Sequence, residues 1–137
     1  MKNTFKTVIT ALTLIAITFT ACKDDDTTIT PETPAVNFSI TDPTGGTMFG
    51  KGDTIHINGM VTWENELHGY ELTIRNTSTD SVVFSKHHHA DDKTLHIHEQ
   101  WINDVENHSN MSLTIDAFTD HDGAMETEVI MFHCHPM

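Results

Sequence analysis

Three His-x-His pairs, His87/His89, His96/His98 and His133/His135, stand in a chain of 11 histidines, most of them downstream of His56. Residues two apart on an extended strand project to one face, so each pair presents two imidazoles at a separation that a single metal ion can bridge. The carboxyl end, His133, Cys134, His135, Pro136 and Met137, adds a thiol and a thioether. Imidazole, thiolate and thioether are the side chains that hold late first-row transition metals, and sulfur beside imidazole points to copper, or to zinc in a tetrahedral site. The candidate metal ligands are therefore His96, His98, His133, His135 and Cys134.

Strand parity sorts these candidates. His96 and His98 alternate with Leu95 and Ile97, which turns them to solvent or to the outer side of a sheet. His133 and His135 continue the phase of Val129 and Met131, which would carry one or both inward at the end of the fold. In a regular strand Cys134 shares the phase of Ile130 and Phe132 and is a buried structural thiol; a break caused by Pro136 would instead let it join the histidines. His68, in phase with Tyr70 and Leu72, is expected as a satisfied histidine near the core. The run His87-His88-His89 precedes Ala90-Asp91-Asp92 and reads as a loop, where mobile imidazoles capture metal loosely.

Other chemistry has less support. Asp116, Asp120, Asp122 and Glu126 surround a turn but lack the glycine and terminal glutamate spacing of a helix-loop-helix calcium loop, so they are expected as solvated carboxylates. The chain has no Gly-x-Ser-x-Gly elbow, no phosphate-cradling glycine loop and no His-Glu-x-x-His helix, and a non-enzymatic role is expected.

The elements that must position these residues are strands. Ile55, Ile57, Gly59, Val61 and Trp63 share one phase; Tyr70, Leu72 and Ile74 another; Val82 to Ser85, Leu95/Ile97 and Met111, Leu113, Ile115, Ala117 follow. Asp122-Gly123 supplies a hairpin turn into a last strand from Thr127 to about His135, whose run Val129 to Phe132 is apolar on both faces and suggests a covered strand. With an entry strand from Val36 to Ile40, about seven short strands in roughly 100 residues predict an antiparallel sandwich of immunoglobulin or fibronectin type III kind; a small barrel is the alternative.

The amino-terminal end gives the location. Lys2 and Lys6, the apolar stretch Val8 to Phe19 and the small residues Thr20 and Ala21 read as a secretory signal, too short for a spanning helix. Phe19-Thr20-Ala21-Cys22 resembles the lipobox of bacterial lipoproteins, which implies a lipid on Cys22 and a membrane held through it. Lys23-Asp24-Asp25-Asp26 is similar to the acidic stretch of surface lipoproteins of the Bacteroidota. The division expected is a signal over 1–21, a lipidated cysteine and acidic, Pro/Thr-containing linker over 22–35, and one domain over 36–137. With Gly52-Asp53-Thr54-Ile55-His56-Ile57, the whole chain resembles the small immunoglobulin-like lipoproteins of the Bacteroidota. That resemblance implies an outer-membrane lipoprotein exposed at the cell surface, with a periplasm-facing placement as the alternative. The triplet His133-Cys134-His135 is also similar to the carboxyl-terminal motif of multicopper oxidases, but its donors are crowded into fewer positions than a blue-copper loop uses, which puts electron transfer in doubt.

Without the signal the chain keeps five basic against twenty acidic side chains, a formal charge of -15. No basic surface for nucleic acid can be assembled, whereas cations are attracted. If Cys22 carries lipid, Cys134 has no intramolecular partner and the fold does without a disulfide. The reading is a lipid-anchored, His-rich domain that binds copper or zinc. Its competitor is an immunoglobulin-like interaction module for an envelope protein or a glycan, whose signature would be exposure of Trp63, Tyr70 or Trp101. A pH-responsive surface protein is a third use of the same histidines.

Overall fold

Alternation of apolar and polar residues builds two sheets. The computed structural model describes residues 35–136; the expected signal over 1–21, the expected linker from Cys22 up to residue 34, and Met137 lie outside the described residues. The strands are β1 (Asn37–Asp42), β2 (Met48–Gly50), β3 (Thr54–Leu67), β4 (Tyr70–Asn76), β5 (Ser81–His88), β6 (Asp92–Ile102), β7 (Ser109–Phe118) and β8 (Met125–His135). One sheet has the order β1-β3-β6 and the other β2-β8-β7-β4-β5; every pairing is antiparallel except β2 with β8. The fold is an all-β sandwich of the immunoglobulin-like class that the alternation predicts.

β7 shows why the sheets close on each other. Ser109, Met111, Leu113, Ile115 and Ala117 are buried while the residues between them are not, and β7 lies between β8 and β4, so its inner side chains reach the middle of the core. Ile55, Ile57 and Val61 of β3, Leu95, Ile97 and Trp101 of β6, Leu72 and Ile74 of β4, and Phe132 of β8 complete one apolar cluster drawn from both sheets. Full burial of such a side chain contributes about 1.5–3 kcal/mol. Trp101 and Tyr70 are 9% and 2% exposed, so these two aromatics serve packing and do not form the exposed signature of an interaction surface.

Three differences from the sequence reading matter for the site. The three-residue β2 carries too little alternation to be recognised, and it makes the strand count eight. His87 and His88 belong to β5, which extends beyond Ser85. On β8 the inward phase is Phe132 and Cys134, while Val129 and Met131 stand 52% and 47% exposed. The phase that would have taken His133 and His135 inward is thus the outer one, since pairing with β7 sets His133, Met131 and Val129 opposite Asn110, Ser112 and Thr114, the outward residues of that strand. His133 is exposed and His135 half-buried at the strand end.

Gly59 sits opposite Ile40 on one side and Ile97 on the other. A Cβ there would lie 2.6 Å from the Ser39 carbonyl oxygen and 2.8 Å from Ile40 Cα, so β1 packs against β3 more closely than a side chain allows. Gly59→Ala must push backbone apart and is expected to destabilise the fold by about 1–3 kcal/mol. Gly45→Ala, where nothing lies within 4 Å, is expected to stay within about 0.5 kcal/mol of the parent in urea denaturation.

Candidate metal site

Three connections, β3 to β4, β5 to β6 and β7 to β8, meet at one end of the sandwich. The first is only His68-Gly69. Gly69 has φ +124°, and a Cβ on it would fall 2.2 Å from the His88 carbonyl oxygen, so only glycine lets this turn press on the end of β5. The His68 amide donates to the Phe118 carbonyl (2.9 Å) and the Phe118 amide to the Gly69 carbonyl (3.0 Å), which fastens the turn to the end of β7. Beyond β7, Asp120 Oδ1 accepts from the amides of Asp122 and Ala124, both at 2.8 Å, and shapes the turn that carries His121.

These backbone constraints bring together residues far apart in sequence. The His68 and His121 rings lie 3.9 Å apart between centroids. His68 Nδ1 is 2.7 Å from Asp91 Oδ1 on the β5–β6 connection. Ligand atoms of His68, Asp91 and His121 all lie within 4.8 Å of one another, a group that could hold a metal ion. Among the described residues it is the one group of three or more histidine, cysteine or carboxylate ligands gathered this closely. A cavity of about 220 Å³ adjoins it, lined by His68, His87, His89, Phe118, Asp120, His121 and Gly123.

Hydrogen bonding sets which ring nitrogens are free. The proton that His68 Nδ1 donates to Asp91 lowers the carboxyl below its ordinary range, and the neighbouring His89, His68 and His121 act in the same direction. With the Asp91 carboxylate as acceptor, a neutral His68 carries its proton on Nδ1 in the metal-free chain. His89 Nδ1 lies 2.9 Å from the His68 carbonyl oxygen, which can only accept, so the neutral His89 ring leaves Nε2 free. The Asp120 carboxyl is also held low, chiefly by the Ala124 amide. Imidazole with carboxylate is a donor set for zinc or divalent copper.

The ligands expected from sequence are placed elsewhere. His96 and His98 stand exposed on the outer face of β6, with His98 Nδ1 3.2 Å from Asn58 Oδ1. His133 and His135 belong to β8 in the other sheet, so the two pairs do not converge. Cys134 is 1% exposed and faces the core, and burial pushes its thiol up to about 11. His68 does sit beside the core, half-buried as expected, yet it anchors the group. His121 has no histidine two residues away, Asp91 stands in an ordinary acidic loop, and nothing local marks either. The available signal was positional, since all three residues occupy connections that a sandwich gathers at one end.

No known protein family and no curated protein matches the chain.

Two outcomes follow from the titrating groups. A carboxyl whose folded pKa lies below its unfolded value of 3.8 stabilises the fold fully above that pH and loses its contribution as pH falls toward the folded value. The thermal stability advantage of the parent over Asp91→Asn is expected to be constant from pH 6 to 5 and to shrink below about pH 4; a difference independent of pH would contradict the His68–Asp91 bond. In a Cys22→Ser chain, Cys134 should resist Ellman's reagent at pH 8 when folded and react promptly in guanidinium.

Proposed function

We propose that the chain is a lipid-anchored, non-enzymatic domain of the cell envelope that binds a divalent transition metal, zinc or copper, at the His68–Asp91–His121 end of its sandwich. The observation that carries this reading is the convergence of three ligand atoms from three separate connections within 4.8 Å. The His68 carbonyl orients a further imidazole, His89, beside this group. Such outer hydrogen bonds fix the tautomer and raise the basicity of the coordinating nitrogen. The acidic net charge favours accumulation of cations around the domain. The anchor rests on Cys22 in its lipobox-like setting, and the acidic residues behind it support placement at the cell surface.

Calorimetric titration with zinc and with divalent copper tests the site. His68→Ala and His121→Ala are each expected to weaken binding at least tenfold, and Asp91→Asn by about 10–100-fold. The double change His96→Ala/His98→Ala should leave this site as it was. At a free metal concentration 100 times the dissociation constant the parent should gain about 2.7 kcal/mol of stability, visible as a raised Tm. Affinity unchanged by His68→Ala and His121→Ala would remove the proposal. Labelled palmitate entering the parent and not Cys22→Ser, in cells that process bacterial lipoproteins, checks the anchor.

A further inference from the structure

The opposite end of the sandwich holds a larger cavity with different donors. It measures about 450 Å³, and Met48, His108, His133 and His135 line it together with Ser78, Ser109, Asn110 and Cys134. The parallel pairing of β2 with β8 sets Met48 beside His133 and Gly50 beside His135. Paired residues on neighbouring strands project to the same face, so the Met48 thioether and the His133 and His135 imidazoles share one side while Phe49 and Cys134 share the other. The inward side is occupied: Phe49 packs edge-on against Phe132 with ring centroids 5.6 Å apart, and Cys134 is buried.

Met48 is 70% exposed, the most of any large apolar side chain among the described residues, and contributes nothing to the core. Its strand is nevertheless held firmly. The buried Asn103 donates from Nδ2 to the carbonyls of Phe49 (3.2 Å) and Gly50 (2.8 Å), and its Oδ1 accepts from the Val105 amide. The imidazoles are oriented too. His133 Nδ1 lies 2.7 Å from Asn110 Oδ1, and His135 Nδ1 3.3 Å from the Pro136 carbonyl, so each ring in its neutral form uses Nδ1 as donor and leaves Nε2 free. The His108 ring lies nearly parallel to that of His135, 5.9 Å away between centroids.

We propose that this cavity is a second, softer metal site that binds monovalent copper through the Met48 thioether and the Nε2 atoms of His133 and His135. Thioether and imidazole, with no carboxylate among the residues lining the cavity, suit a soft ion of low charge, whereas the imidazole and carboxylate set at the other end suits a divalent one. Cys134 lies on the inner side of β8 and is not a ligand in this arrangement. The site is independent of the His68 group and stands or falls separately from it.

Competition for monovalent copper between a chromophoric chelator and the full chain carrying Cys22→Ser, under nitrogen with ascorbate as reductant, tests the proposal. Met48→Leu, an exposed and conservative change, and His133→Ala/His135→Ala are each expected to weaken binding tenfold or more. His68→Ala/His121→Ala and Cys134→Ala should leave it within twofold. Binding unchanged by Met48→Leu overturns the proposal, as does loss of binding in Cys134→Ala with a retained unfolding transition, which would make the thiolate the ligand. X-ray absorption of the copper-loaded Cys134→Ala chain should retain a sulfur neighbour and lose it on further Met48→Leu substitution. Its absence before that second change also overturns the assignment.

Discussion

β7 is hydrogen-bonded on both edges and buries every second side chain from Ser109 to Ala117, so its register admits no slip: a shift by one residue would turn Met111, Leu113 and Ile115 to solvent and bring Ser112 and Thr114 into the core. Its partners inherit that parity. Phe132 of β8 stands opposite Met111, and Leu72 and Ile74 of β4 stand opposite Ile115 and Leu113, so at these positions the inner phase of all three strands is committed to apolar packing. The histidines on the sheet these strands share accordingly face outward or stand at a strand end: His87 and His88 at the end of β5, His133 and His135 at the end of β8. The distribution of imidazoles over the molecule is a consequence of this constraint before it is a matter of metal chemistry.

The same constraint explains what the sequence makes legible. Alternation identifies β3, β4 and β7 and places Cys134 with Phe132, because a strand buried on one face writes its period directly into the residue types. It misleads for β8, whose outer residues Val129 and Met131 are apolar although exposed; residue type alone then does not distinguish the two faces. It is silent for β2, which is held through backbone carbonyls by the distant side chain of Asn103, so its placement depends on no pattern of its own.

The His68–Asp91–His121 group was hidden for a related reason. Its members lie in connections, where no period relates side-chain direction to sequence number, and they meet only because β3–β4, β5–β6 and β7–β8 finish at one end. The local chemistry that fixes them is mostly main chain: the close approach at Gly69, the paired bonds between the His68–Gly69 turn and Phe118, and the carboxylate of Asp120 gathering amides. His-x-His spacing is a good guide to pairs on one strand, but closing a coordination sphere requires donors from several elements.

The two ends of the sandwich differ in a way that follows from which strands reach them. At the His68 end, tight connections bring side chains from both sheets together, and an acidic residue can enter the group because the loops are solvated. At the other end His133 and His135 stand on the terminal residues of β8 itself, so their neighbours are set by strand pairing: β7 supplies Asn110, and β2, entering parallel, supplies Met48. Carboxylate chemistry is therefore available at the first end and thioether chemistry at the second. The buried thiol between His133 and His135 belongs to neither, since strand parity assigns it to the core.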